Sequence, residues 1–230
     1  MKRIIWLLLS VILLIPLGCA NRQKQLPDDR YMCSVCNKDS VDELISIIGE
    51  VELGGLSTGM RLDAEHCYNV TPPDVADQTD IKIFKFSDSC VTLALIDGKV
   101  YQICASFGGF GFANAVPWDY DSDGNLDLLI ASSWGSGMHR SEITVFNTVT
   151  KESIMVYDTA KTQTPGVDLI VAEGVALYSS KDPRELPVEY LIYSVDVAVH
   201  NDNLADLSYS NAKLVGSVIV KDGVPAFQPV

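Results

Sequence analysis

The chain has 230 residues, with 17 Lys and Arg against 30 Asp and Glu and a formal net charge of −13. That acidic balance, without any stripe of Lys or Arg, argues against a nucleic-acid partner, because phosphate binding needs clustered basic side chains. The length suffices for one large domain or two small ones, each with a buried core.

Lys2 and Arg3 precede an apolar stretch from Ile4 to Leu17. It is short for a bilayer span and reads as a signal peptide. The stretch ends in Pro16-Leu17-Gly18-Cys19-Ala20, which resembles a bacterial lipobox, with Pro16 where that motif usually carries Leu. The resemblance implies cleavage after Gly18, lipidation of Cys19 and attachment to a membrane through the lipid. In a diderm bacterium, Ala20 after the cysteine implies sorting to the outer membrane. Ordinary secretion, with Cys19 incidental, is the alternative. Loss of Lys2 and Arg3 with the leader takes the formal charge from −13 to −15.

The chain then divides into a polar tether over 19–37, an irregular region with one short helix over 38–80 and a β-repeat domain over 81–230. Ser40 and Glu43 form a capping box, Val41, Leu44, Ile45 and Ile48 share a face, and Gly49 ends the helix. Thr71-Pro72-Pro73-Asp74 through Asp80 is turn chemistry. Beyond it, short apolar segments predict strands at 81–86, 91–96, 100–105, 126–131, 143–146, 154–157, 169–172, 175–178, 190–199 and 214–220. No long amphipathic helix interrupts them, so the expected class is all-β and antiparallel.

Five cysteines follow Cys19, and an exported protein is free to oxidise them. If Ile96-Asp97-Gly98 is a three-residue loop, Cys90 falls opposite Cys104 and a disulfide joins them. A two-residue Asp-Gly turn puts the two on opposite faces. The first reading is preferred. Cys33, Cys36, His66 and Cys67 could be drawn as a zinc site, but a disulfide from Cys67 to Cys33 or Cys36 is the more ordinary use of these thiols.

The segment Asp119-Tyr-Asp121-Ser-Asp123-Gly124-Asn125-Leu-Asp127 places four carboxylates around one glycine turn. Calcium takes six to eight oxygens at ~2.3–2.6 Å, and a loop supplies them from positions one, three, five and nine with a carbonyl at position seven. Asp119, Asp121, Asp123, Asp127 and Asn125 hold those positions. An EF-hand would close with Glu at position twelve, where this chain has Ile130 within the apolar run Leu128 to Ala131. The loop therefore feeds a strand.

With Phe110-Gly111 ahead of the loop, Leu128 to Ala131 after it and the later strand from Glu142 to Phe146, the segment resembles the calcium loops of FG-GAP and VCBS repeats. Ser133-Trp134-Gly135 stands where that family carries Gly-Ala-Pro, and the resemblance covers about fifty residues. It implies blades of an integrin-type β-propeller, here a small or incomplete one, with a β-sandwich as the alternative. It also implies a structural calcium ion. Asp127-Leu-Leu-Ile-Ala131 recurs as Asp168-Leu-Ile-Val-Ala172, and Asp202 to Leu207 echoes Asp123 to Leu128, near the length of one blade. The second echo puts His200 and Ala198 where the loop has Asp121 and Asp119, so it predicts no second cage.

The only histidines are His66, His139 and His200, and no Gly-x-Ser-x-Gly elbow is present, so no catalytic residue is assigned. Trp134, His139 and Arg140, on a loop after the calcium strand, are candidate contacts for a protein or carbohydrate ligand. The expectation is a surface-anchored, calcium-stabilised, non-catalytic binding module of the bacterial envelope. The alternative is a secreted hydrolase whose nucleophile is unidentified.

Overall fold

The computed structural model describes Asp42, Leu44, Ser46 and residues 65–87, 89–104, 108–162, 166–175 and 188–230. The leader, Cys19, the tether, Cys33 and Cys36 lie outside the described residues. Among the described residues, three four-stranded antiparallel sheets form, each a meander of strands consecutive in the chain. The first sheet holds β1 (Cys67–Asn69), β2 (Lys82–Phe86), β3 (Ser89–Ile96) and β4 (Lys99–Gln102). The second holds β5 (Gly111–Trp118), β6 (Asp127–Trp134), β7 (Arg140–Phe146) and β8 (Ser153–Asp158). The third holds β9 (Asp168–Val175), β10 (Val188–His200), β11 (Asn203–Lys221) and β12 (Val224–Pro229). The protein is all-β and antiparallel, as its short apolar segments predict.

Packing explains why β6 reads as an unbroken apolar run. Leu129, Ala131, Ile143 and Val145 pack on Ile170, Ile192 and Leu207 of the third sheet. Leu128, Ile130 and Phe146 pack on Ile83, Ala94 and Ile96 of the first. The second sheet is therefore covered on both faces, and alternation disappears where both faces are dry. Each such Leu, Ile, Val or Phe side chain contributes about 1.5–3 kcal/mol by leaving water. On the outer face of the first sheet, Phe84, Phe86, Leu93 and Leu95 pack with Leu44. Asp42, Leu44 and Ser46 are helical, with only Leu44 of the three buried, as the predicted apolar face requires.

Polar side chains join the sheets at specific points. The Asn114 carboxamide donates to the carbonyl of Val171 at 2.7 Å and accepts from its N–H at 2.9 Å, so it acts as a short strand against β9. The Tyr209 hydroxyl donates to the Ala113 carbonyl at 2.6 Å, and Leu204 N–H donates to the Ser87 carbonyl at 2.9 Å. These bonds satisfy backbone groups that the sheet edges would otherwise leave bare.

Several expectations need correction. The segment read as turn chemistry contains helix α1 (Pro73–Gln78), with Pro73 in the first turn, where its missing N–H costs nothing. The first sheet begins at Cys67, inside the region expected to be irregular. Strand β5 escapes a pattern search because it contains Asn114 and Pro117; it tolerates the proline because β6 is its only partner in the sheet. Asp97 and Gly98 have φ of 52° and 69°, with Ile96 paired to Lys99, so the β3–β4 turn has two residues. Leu93 pairs with Gln102, which sets Cys104 opposite Val91 rather than Cys90. Cys90 and Cys104 are accordingly free, and the predicted disulfide is absent. The recurring strings also fall on unlike strands: Asp127 opens β6, the second strand of its sheet, whereas Asp168 opens β9, the first, and Asp206 lies in β11, the third.

Candidate metal centre

The acidic loop connects β5 to β6, and its ends are held by the Trp118–Asp127 pair of the ladder. Two left-handed residues make the turn, Ser122 at φ 59° and Gly124 at φ 88°. Glycine adopts this conformation freely, whereas other residues do so at a cost of roughly 1–2 kcal/mol. Backbone N–H groups then fix the carboxylates. Asp119 accepts from the N–H of Asp123 and of Gly124, both at 3.1 Å, and Asp123 accepts from the N–H of Asn125 at 2.7 Å. Asp121 accepts from the side chain of Asn147 at 3.3 Å.

Carboxylate oxygens of Asp119, Asp121 and Asp123 lie within 4.8 Å of one another. Two oxygens bound to one calcium ion at ~2.3–2.6 Å can stand no further apart than ~5 Å, so the three fit a single cation of that class. Asp127 is not in this group. It is 1% exposed, and its Oδ1 accepts from the Thr148 N–H at 2.8 Å and the Thr148 hydroxyl at 3.4 Å. Its Oδ2 is buried without a hydrogen-bond partner. Burial pushes the Asp127 carboxyl up to about 6, with Asp121 and Asp123 raising it further against the opposing effect of the Thr148 bonds.

Sequence reasoning did not find Asn147 and Thr148. Asn147 is 4% exposed, and its side chain caps the β7–β8 turn by accepting from the N–H of Val149 and of Thr150 at 3.0 and 2.7 Å. The string Asn-Thr-Val-Thr between two strands is a recognisable turn signal. Nothing in it says that the turn reaches back to the acidic loop.

At the far end of β6 the candidate contact residues are arranged differently from an exposed loop. Trp134 ends β6, Arg140 begins β7 and the two are paired, with the guanidinium 5.0 Å from the indole centre. His139 meets the ring of Phe110 edge-on at 4.6 Å, and only Met138 of the large apolar side chains in the loop is exposed. His139 Nδ1 lies 4.0 Å from Asp168 Oδ1. His200 bonds Ser208 at 2.8 Å beside a tight turn at Asn201 and Asp202, both left-handed.

Cys104 is fully embedded. Burial pushes its thiol up to about 12, with the Lys85 charge opposing the shift. Lys85 itself is 0% exposed and donates to the Phe112 carbonyl at 2.8 Å. No family model, curated protein or solved structure matches this chain.

Proposed function

We propose that the chain is a calcium-stabilised interaction module, tethered to the bacterial envelope through a lipid on Cys19, whose sheets are blades of a small or incomplete propeller of the FG-GAP or VCBS kind. The observation that carries the metal reading is the set of three carboxylates within 4.8 Å of one another, in a loop whose last residue, Asp127, keeps Oδ2 buried without a bond. Carboxylates so close together repel unless a cation or protons neutralise them. A calcium ion would stiffen the turn and hold the start of β6. The meander of four consecutive strands in each sheet is the topology of a blade, which supports the propeller reading. Trp134, His139 and Arg140 are the contacts we assign to a protein or carbohydrate ligand.

Melting the mature protein in calcium and in chelator tests the metal. The midpoint should rise in calcium, and Asp121→Ala should abolish the rise; an unchanged midpoint in the parent protein removes the claim. Turnover of ester, glycoside or peptide substrates would replace the non-catalytic reading with a hydrolase.

A further inference from the structure

Two adjoining cavities reach from α1 to the acidic loop. The first, of about 590 Å³, runs between the end of α1 and the β3–β4 turn and is lined by Leu95. The second, of about 560 Å³, runs from that turn to Gly124 and Asn125 of the acidic loop and to Val149 and Lys151 of the β7–β8 turn, and is lined by Ile96. Thr79, Asp80, Ile81 and Asp97 line both. Leu95 and Ile96 are neighbours in β3 and pack on opposite faces of the first sheet, so the two cavities make one groove across the end of that sheet.

Its two ends are apolar and its middle is charged. Ile81, Leu95 and Ile96 are buried beneath it, and Val149 stands beside the second cavity, 55% exposed. Asp80 is exposed, and among the described residues neither it nor the nearby Gln78 has a hydrogen-bond or ion-pair partner. Asp97 pairs with Lys151 at 3.5 Å, but its side chain is 86% exposed and such a pair is worth little in water. The cations at the groove are already engaged. Lys151 also donates to the Thr148 carbonyl and lies 5.3 Å from the centre of the Tyr101 ring, and Lys82 has a partner of its own. The charge left open is the carboxylate of Asp80, on a chain of net charge −13, and that field draws cations. No aromatic side chain lines either cavity, so a sugar ring would find nothing to stack on.

We infer that this groove binds an extended peptide segment of a partner protein, with a Lys or Arg on Asp80 and an apolar residue to either side. The basic side chain makes a charge-assisted bond to the one carboxylate that lacks a partner, and Asp97 lines the same stretch of wall. Side chains of an extended chain alternate, so those entering the groove are two residues apart: apolar over Leu95, basic at Asp80, apolar over Ile96 and Val149. A small amine would use only the middle. The groove is separate from the contacts assigned to Trp134, His139 and Arg140, which lie at the other end of β6, and it needs no ion in the acidic loop.

Titration of the isotope-labelled mature protein with two acetylated and amidated peptides, Gly-Leu-Ser-Arg-Ser-Leu-Gly and its Lys counterpart, tests the inference by amide NMR shifts. Shifts are expected at Asp80, Ile81, Gly98 and Asn125 with at least one of them. The same peptide with Glu in place of the base should leave these amides unmoved. Asp80→Asn, an exposed and nearly isosteric change, should weaken binding about fivefold, the upper worth of a solvent-exposed charge pair. The variant's own spectrum, unchanged away from the groove, shows that it is folded. Absence of shifts with both basic peptides, equal shifts with the Glu peptide, shifts confined to the Trp134 and Arg140 end of β6, or an unchanged affinity in Asp80→Asn each overturn the inference.

Discussion

Thr148 donates both its backbone N–H and its hydroxyl to Oδ1 of Asp127, at 2.8 and 3.4 Å, and leaves Oδ2 of the same carboxylate buried without a bond. The β7–β8 turn thereby orients an acid at the mouth of β6. The single Thr148 hydroxyl proton is shared between Oδ1 of Asp127 and the nearer Leu126 carbonyl at 2.9 Å, so one side chain ties the turn to Leu126 and Asp127.

Thr148→Val keeps the backbone donor and removes the hydroxyl. It should cost about 1 kcal/mol of stability, the usual worth of a buried hydrogen bond, and weaken calcium binding several-fold. Urea unfolding and calorimetric titration with calcium check the two effects. An unchanged calcium affinity would mean that the turn does not orient the site.

The pH dependence of the metal-free protein follows from Asp127. Its folded carboxyl sits at about 6, above the ordinary 3.8, so the native state holds a proton that the unfolded chain releases. The associated stability is present below the unfolded value and is lost as pH rises through about 6. In chelator, stability should fall across roughly pH 4 to 6 by up to ~3 kcal/mol. Asp127→Asn should flatten that slope, and saturating calcium should reverse it, because the ion binds the deprotonated form. Urea midpoints at several pH values, with calcium and with chelator, measure it.

Two glycines should respond differently to alanine. Gly109 has φ +65°, and a Cβ there would stand 2.6 Å from the Ser133 carbonyl oxygen and from the backbone of Trp134. Gly124 has φ +88° with open space around it. Gly109→Ala should therefore destabilise by more than ~2 kcal/mol, from clash and strain together, and Gly124→Ala by roughly 1–2 kcal/mol, from strain alone. Thermal melts of the two variants decide it, and equal losses would contradict the close approach of the Gly108–Gly109 segment to the end of β6.

Cys90 and Cys104 should remain thiols in the native protein even under oxidising conditions. The thiolate is the reactive form, and burial holds the Cys104 thiol at about 12. Alkylation at pH 8 followed by mass measurement should label Cys104 in urea and spare it in native buffer. A Cys90–Cys104 disulfide in the native protein would contradict the two-residue turn.

Some of this was readable directly from residues. The β class was, because apolar residues in short runs between turn residues have few other uses. The three clustered carboxylates were readable for a similar reason: alternating Asp residues around a glycine turn converge through local geometry alone. The helix around Leu44 was marked by its period. Strand β5 was hidden because its burial comes from the neighbouring sheets rather than from alternation, and Asn114 looks like a turn residue until its side chain is seen pairing with Val171. The turn at Asp97-Gly98 was ambiguous by one residue, and one residue decides the face on which Cys104 lies.

By itself the sequence determined the composition of each local unit: acidic loop, strand runs, turns and apolar stretches, all set by interactions between residues close in the chain. Only the tertiary structure decided that β6 is covered on both faces, that Thr148 holds one oxygen of Asp127, and that Asn114 pairs with Val171 across two sheets. Those relationships join residues far apart in sequence, and they depend on how whole sheets stack, where burial rather than local propensity sets the energy.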